Sequence, residues 1–235
     1  QVLHSKMVKQ FVEDSKADFL AEARRLSQLR HPNIIKVYEQ FEENNTAYYV
    51  MEYLEGENLR DYVMAKGEMP SSFMINLFTP ICKAVKALHE KNMTHLDIKP
   101  ANIMIRRKAK GIMPVLIDFG LSKHYDENGH PTSTIRIQGC SQGYAPVEQY
   151  LGINSFSPTA DVYALGATLY FLLVGVDPTI SSELNREELV AKLPASLSEQ
   201  TLNAICNAMK MTKADRTQSD RGGRRTLGKG CARII

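Results

Sequence analysis

An aspartate, a lysine and an asparagine lie close together in the run His95-Leu96-Asp97-Ile98-Lys99-Pro100-Ala101-Asn102. Asp97, Lys99 and Asn102 offer a carboxylate, an ammonium and an amide, and Pro100 prevents the stretch from running as helix, so it reads as a loop. Sixteen residues beyond Asn102 stands Asp118, in Asp118-Phe119-Gly120, directly after the apolar run Val115-Leu116-Ile117. That run reads as a short strand ending in a turn, which delivers a second carboxylate to the same place. Transfer of a phosphoryl group needs an acceptor for the attacking hydroxyl's proton, hard oxygen ligands for Mg²⁺, and positive charge near the moving group. A lone Asp or Lys is ordinarily a solvated surface charge. The order and spacing of the two motifs set these residues apart.

The pair resembles the catalytic loop and the metal-binding Asp-Phe-Gly of eukaryotic-type serine/threonine protein kinases, bacterial members included. The resemblance spans roughly Ser5 to Arg216. It implies an α+β, two-lobe fold with a truncated small β lobe and a mainly helical large lobe. It further implies ATP and Mg²⁺ as cofactors and a protein Ser/Thr hydroxyl as acceptor. In it Asp97 matches the catalytic base, Lys99 the lysine that contacts the transferred phosphate, and Asn102 and Asp118 the metal ligands. One position departs from the family: the usual His-Arg-Asp is His95-Leu96-Asp97, which removes the arginine that ordinarily reaches a phosphorylated activation loop.

Length and composition are compatible with such a domain. A chain of 235 residues with 43% hydrophobic content can bury a sizeable core. Cys82, Cys140, Cys206 and Cys231 are scattered and form no Cys-x-x-Cys, so they suggest neither a zinc site nor a disulfide framework; reduced thiols in a cytoplasm are the expectation. The longest uncharged run, residues 162–176, is shorter than the ~20 residues of a bilayer span and reads as a buried helix. Of the net charge of +3, residues 216–235 carry +5 (six Lys/Arg against Asp220), which leaves −2 for the rest. The basic balance belongs to that segment and is not a nucleic-acid footprint.

Several elements must position the two motifs. From Ser5, a plausible N-cap, Met7, Phe11, Phe19 and Ala23 keep helical register with Leu20 and Leu26, giving one long helix or two short ones. By the resemblance its end is the regulatory helix, with Glu22 as the glutamate that pairs with a strand-three lysine. Lys9 lies inside the helical pattern and reads, like Lys6, as exposed helix charge. No Gly-x-Gly-x-x-Gly precedes the helix, and the expectation is that the upstream strands and the true lysine partner are missing. Residues 34–41 and 47–53 are rich in β-branched and aromatic types around Glu42-Glu43-Asn44-Asn45, which predicts a hairpin. The resemblance puts Met51 at the back of the adenine pocket and the backbone of Glu52 to Leu54 at its edge. A helix follows from Ser71 or Ser72 to about Glu90, with a kink expected at Pro80.

After the loop, residues 120–148 show no periodicity and read as a long functional loop containing Thr132, Ser133, Thr134 and Ser141. By the resemblance His95 packs beneath Phe119, Ser141 braces Asp97 and Lys99, and Asp161 caps backbone of the catalytic loop. Ala145-Pro146-Val147-Glu148 stands for Ala-Pro-Glu, with Glu148 paired to Arg216. Helices are predicted at 186–193 and 198–211. The organisation expected is a partial small lobe at 1–54, a large lobe at 55–216 and a basic, flexible tail at 217–235. Two rival readings share parts of this pattern. A small-molecule phosphotransferase of the aminoglycoside-kinase type is opposed by Lys99, Ala-Pro-Val-Glu and Asp161, and a nucleotide- or partner-binding pseudokinase by Asp97, Asn102 and Asp118.

Leu96 carries a prediction about control. Where arginine stands there, a loop phosphate forms charge-assisted hydrogen bonds that order the segment; leucine offers none. Phosphatase treatment of the full-length protein, or alanine at Thr132, Ser133 and Thr134, should therefore change its rate by less than about tenfold, or ~1.4 kcal/mol of barrier. A larger loss would show that Lys123 or Arg136 has taken over the arginine's role.

Overall fold

The structure is a computed structural model that describes residues 2–126, 132, 139–151 and 157–217, with the backbone alone for residues 2–8. Ser133, Thr134, Arg136, the Lys6 side chain and the basic tail beyond Thr217 lie outside the described residues. The chain opens with one continuous helix, α1 (Val2–Gln28), rather than two. Its buried face, with Ala23 and Leu26, meets the hairpin β1 (Val37–Glu43) and β2 (Thr46–Met51), where the Phe19 and Tyr49 rings stand 5.2 Å apart. Asn44 and Asn45 both adopt positive φ, 50° and 57°, the two-residue turn whose twist matches antiparallel strands. The strands thus run further into the predicted turn than its acidic residues suggest. Ile34 and Ile35, expected in the first strand, instead bond outside this hairpin: Ile35 N–H donates to the Leu116 carbonyl at 2.9 Å.

The large lobe is helical around two two-stranded ribbons. Helix α2 (Leu59–Lys66) is capped by Asn58, whose side chain accepts from Asp61 N–H. Helix α3 (Ser71–His89) buries Met74, Leu77, Phe78, Ile81, Val85 and Leu88, the i, i+3, i+4 stripe of a core-facing helix. It continues through Pro80. The short strand β3 (Met93–Thr94) pairs with β6 (Lys123–His124), and β4 (Ile103–Lys108) pairs with β5 (Gly111–Leu116) in a second hairpin. After the one-turn helix α4 (Val147–Tyr150) comes α5 (Pro158–Val174), which is buried on all sides and stops at Gly175 in the left-handed region. Among the described residues no helix is long and apolar enough to cross a membrane.

Helices α6 (Arg186–Lys192) and α7 (Glu199–Ala208) are capped by Asn185 and Ser198. Helix α7 ends before the expected Met211. Met209 leaves helical geometry at φ −94°, ψ 15°, and the Lys210 and Met211 carbonyls turn to accept from Arg216, each at 2.7 Å.

Helices α5 and α7 touch at Gly166, where an added Cβ would stand 2.8 Å from Ala208 Cβ and 2.9 Å from Met209 Cγ. A larger side chain there must push the helices apart, because close-packed interiors do not yield freely. Gly166→Leu should cost about 1–3 kcal/mol, read as a lower urea midpoint at unchanged slope. An unchanged midpoint would mean that the two helices do not meet at this residue.

Candidate active site

The hairpin β4–β5 explains how two motifs sixteen residues apart reach one place. Ile103 pairs with Leu116 at its open end, so Asn102 enters the ribbon opposite Ile117 as it leaves, and Ile117 N–H donates to the Asn102 carbonyl at 2.9 Å. Asp118 follows at once, in the left-handed region at φ 59°, its Oδ1 accepting from Gly120 N–H at 3.2 Å. The alternation that buries Ile103 and Ile105 while Met104 and Arg106 remain partly accessible is the sequence signal of β4, which the motif reading passed over.

Asp97, Lys99, Asn102 and Ser141 form one hydrogen-bonded cluster. Lys99 Nζ and Asn102 Nδ2 donate to Asp97 Oδ2 at 2.9 and 2.8 Å, and Ser141 Oγ donates to Oδ1 at 2.6 Å. Lys99 also donates to Ser141 Oγ at 2.7 Å, so the serine braces both charges. The Asn102 amide nitrogen reaches the Asp97 carbonyl too, at 2.9 Å, which fixes the amide's orientation and leaves its oxygen as a hard acceptor.

The backbone under this cluster is held by a buried carboxylate. Asp161, on the first turn of α5 and wholly buried, accepts from the N–H groups of His95 at 2.9 Å and Leu96 at 2.8 Å, and contacts His89 Nε2 at 2.8 Å. Burial alone would raise its pKa. The hydrogen bond and charge of His89, helped by His95 and the Leu96 N–H, outweigh that and hold it below the ordinary aspartate range. His95 lies against Phe119, ring centroids 4.6 Å apart, and its pKa is lowered by burial. Nδ1 accepts from Asp97 N–H at 3.3 Å, which leaves Nε2 as the nitrogen whose hydrogen is directed at the Ile117 carbonyl at 3.1 Å. Glu148 and Arg216 form a bidentate pair, the guanidinium wholly buried. Three contributors had no sequence signal: His89, Gln149, whose Nε2 donates to the Leu96 carbonyl at 2.8 Å, and Tyr144, whose hydroxyl donates to Asp177 at 2.6 Å while Arg60 grips the same carboxylate.

The small-lobe residues are less tightly gathered. Met51 ends β2 and is 43% exposed. Glu52 donates its N–H to the Lys36 carbonyl and pairs with Arg106 at 2.7 Å, and Leu54 packs partly buried against the core. Lys9 is exposed on α1. Glu22 Oε1 accepts from Arg25 at 3.1 Å and from His124 N–H at 3.0 Å, while its buried Oε2 makes no hydrogen bond to the described residues. Burial is the main reason its pKa is raised. In the long loop, Thr132 is exposed and exchanges bonds with His124.

The family model described as "Protein kinase domain" matches residues 1–221. The chain belongs to the protein kinase domain family. Among relatives of this kinase domain, it is 37% identical over 166 residues to the serine/threonine-protein kinase PknB of Mycobacterium leprae, covering 69% of this chain and 26% of that protein. It is 35% identical over 176 residues to the probable serine/threonine-protein kinase zyg-1 of Caenorhabditis briggsae, covering 74% and 24%. The chain thus spans about a quarter of the length of the curated relatives it matches. Two solved structures share the fold. The PknI kinase domain of Mycobacterium tuberculosis aligns at TM-score 0.67 and 23% identity, covering 84% of this chain and 72% of that one. PpkA-294 in its apo form aligns at 0.71 and 26%, covering 97% and 77%.

Asp161 generates a prediction for this kinase domain. Its folded pKa is depressed, so its contribution to stability is present above the unfolded value of ~3.9 and is lost as pH falls through the lower folded value. Asp161→Asn withdraws the charge from two backbone donors and His89, and should cost ~2–4 kcal/mol at pH 7, hydrogen bonds to charged groups being worth ~1.5–3 each. Thermal unfolding followed from pH 7 to 3 should show the wild-type advantage shrinking only below about pH 4. An Asn variant as stable as wild type at pH 7 would remove Asp161 as the anchor.

Proposed function

We propose that the protein carrying this chain is an ATP- and Mg²⁺-dependent serine/threonine protein kinase, with residues 1–54 in the small lobe and 55–216 in the large. The observation that carries this is the cluster of Asp97, Lys99, Asn102 and Ser141, held on a buried frame and beside a second carboxylate, Asp118. Asp97 is the group that orients a substrate hydroxyl and takes its proton, with its carboxylate aimed by Ser141 and Asn102. Lys99, tied to both Asp97 and Ser141, keeps a positive charge beside that carboxylate, where charge spreads over the transferring group.

The donor set suits magnesium: the Asn102 amide oxygen, left over once its nitrogen is bonded to Asp97, and the exposed Asp118 carboxylate are hard oxygen ligands. Bound there, the ion would neutralise charge on the nucleotide's phosphates. At the edge of β2, the Glu52 carbonyl and the Leu54 N–H make no hydrogen bond to the described residues, which leaves an acceptor and a donor for a purine beside Met51. The acceptor is a protein Ser/Thr hydroxyl, by likeness to relatives whose names say so. A reducing, cytoplasmic setting agrees with the free thiols of Cys82, Cys140 and Cys206.

Transfer of radiolabelled phosphate from ATP to a generic Ser/Thr substrate by the full-length protein tests the reading. Asp97→Asn should lower the rate ~10²–10⁴-fold without unfolding the protein. Turnover unchanged in that variant would sink the assignment of Asp97.

A further inference from the structure

Leu96 stands in a conformation that its side chain does not favour. Its φ of 66° lies in the left-handed region, where a Cβ crowds the following carbonyl, and it immediately precedes Asp97. Something must hold it there. Its own side chain is apolar and sits against Ala160 and Leu121, so it supplies packing and no polar tether. The backbone is pinned instead: the Leu96 N–H donates to Asp161 Oδ1 at 2.8 Å, and the Leu96 carbonyl accepts from Gln149 Nε2, also at 2.8 Å.

The second of these bonds matters for the chemistry. The Leu96 carbonyl and the Asp97 N–H belong to the same planar peptide unit. The N–H half has only a long contact, 3.3 Å to His95 Nδ1, so the short bond from Gln149 is the stronger restraint on that plane. Rotation of the plane would swing the Asp97 carboxylate away from Lys99, Asn102 and Ser141. Gln149 is well placed to prevent it: it is buried, lies on α4 next to Glu148, and Glu148 is locked by the buried Arg216 guanidinium. Residue type matters as well. A carbonyl needs a donor, which a neutral amide supplies; leucine has none, and an ionised glutamate would present only acceptors.

We infer that Gln149 is a positioning residue for Asp97, carrying the order of the Ala-Pro-Val-Glu segment directly into the catalytic loop through the Leu96 carbonyl. The inference rests on the reading of Asp97 as the base, and its test separates the two.

In the full-length protein, Gln149→Leu should lower kcat by ~10–100-fold, the cost of small misplacement of a reacting group, while KM for MgATP and for the acceptor peptide stays within about twofold of wild type. Gln149→Glu should be impaired at pH 8, where the ionised carboxylate faces the carbonyl oxygen. Its rate relative to wild type should climb as pH falls to 6, since a protonated carboxyl regains a donor. A Gln149→Leu rate equal to wild type, or a Gln149→Glu deficit that is flat across pH, overturns the inference. Should wild type itself transfer no phosphate, the kinase reading fails and hydrogen exchange decides this one. Faster exchange of the Asp97 amide, which shares its plane with the Leu96 carbonyl, in Gln149→Leu, with the amides of α5 unchanged, supports it, and unaltered Asp97 exchange overturns it. Should Gln149→Leu lose protection throughout α5, the pH series of Gln149→Glu decides.

Discussion

A single carboxylate with no access to solvent holds this fold to its chemistry. Asp161 sits on the most buried helix of the large lobe and takes two backbone donors from the loop that bears Asp97. A charge so placed is costly unless fully bonded, and here His89 and the two N–H groups supply the bonding. The arrangement works in both directions. The loop is fixed because the carboxylate demands partners, and α5 tolerates the carboxylate because the loop provides them. Helix α3 enters the same arrangement through His89, so the three elements that meet at this point are mutually dependent.

Around that anchor, rigidity falls off toward the small lobe. The Glu148–Arg216 pair is wholly buried on the arginine side, and breaking such a pair typically costs ~3–5 kcal/mol. Beside Phe119 and Gly120, Glu22 is only half satisfied: one oxygen has Arg25 and the His124 N–H, the other is buried with no hydrogen bond to the described residues. An unsatisfied buried acceptor costs ~1–3 kcal/mol, and the raised pKa of this carboxyl is another face of the same deficit. Helix α1 is thus tethered to β6 by a contact with unused bonding capacity, in contrast to the saturated frame under Asp97.

The fold and the centre of the site were legible for different reasons. Asp97, Lys99, Asn102 and Asp118 are read from type and spacing. The helix stripes of α3 and the caps at Asn185 and Ser198 are local patterns that survive in one dimension. Ser141, Asp161 and Arg216 were reached through resemblance, and each is found bonded as the resemblance implies. Gln149, His89 and Tyr144 had no such signal. Each acts through a bond to a distant partner, 53 residues away for Gln149 and Leu96, 72 for His89 and Asp161 and 33 for Tyr144 and Asp177, and such bonds leave no periodicity. Helix α2 was missed because eight residues with mixed polarity give too short a pattern, and the end of α7 because Arg216 diverts its last carbonyls.

The ribbon β4–β5 has a consequence for how such chains can vary. Asn102 and Asp118 meet because one enters and the other leaves the same end of an antiparallel pair, so the residues between them serve only to go out and come back. The turn at Ala109 and Lys110 is remote from that end. Lengthening or shortening both strands in step would change the sequence distance between the two motifs and leave Asn102 facing Ile117 as before. Slippage of one strand by a single residue would do the reverse, keeping the count and turning Asp118 to the wrong face. For this part of the molecule, register is the quantity the site depends on, and separation along the chain can change in pairs.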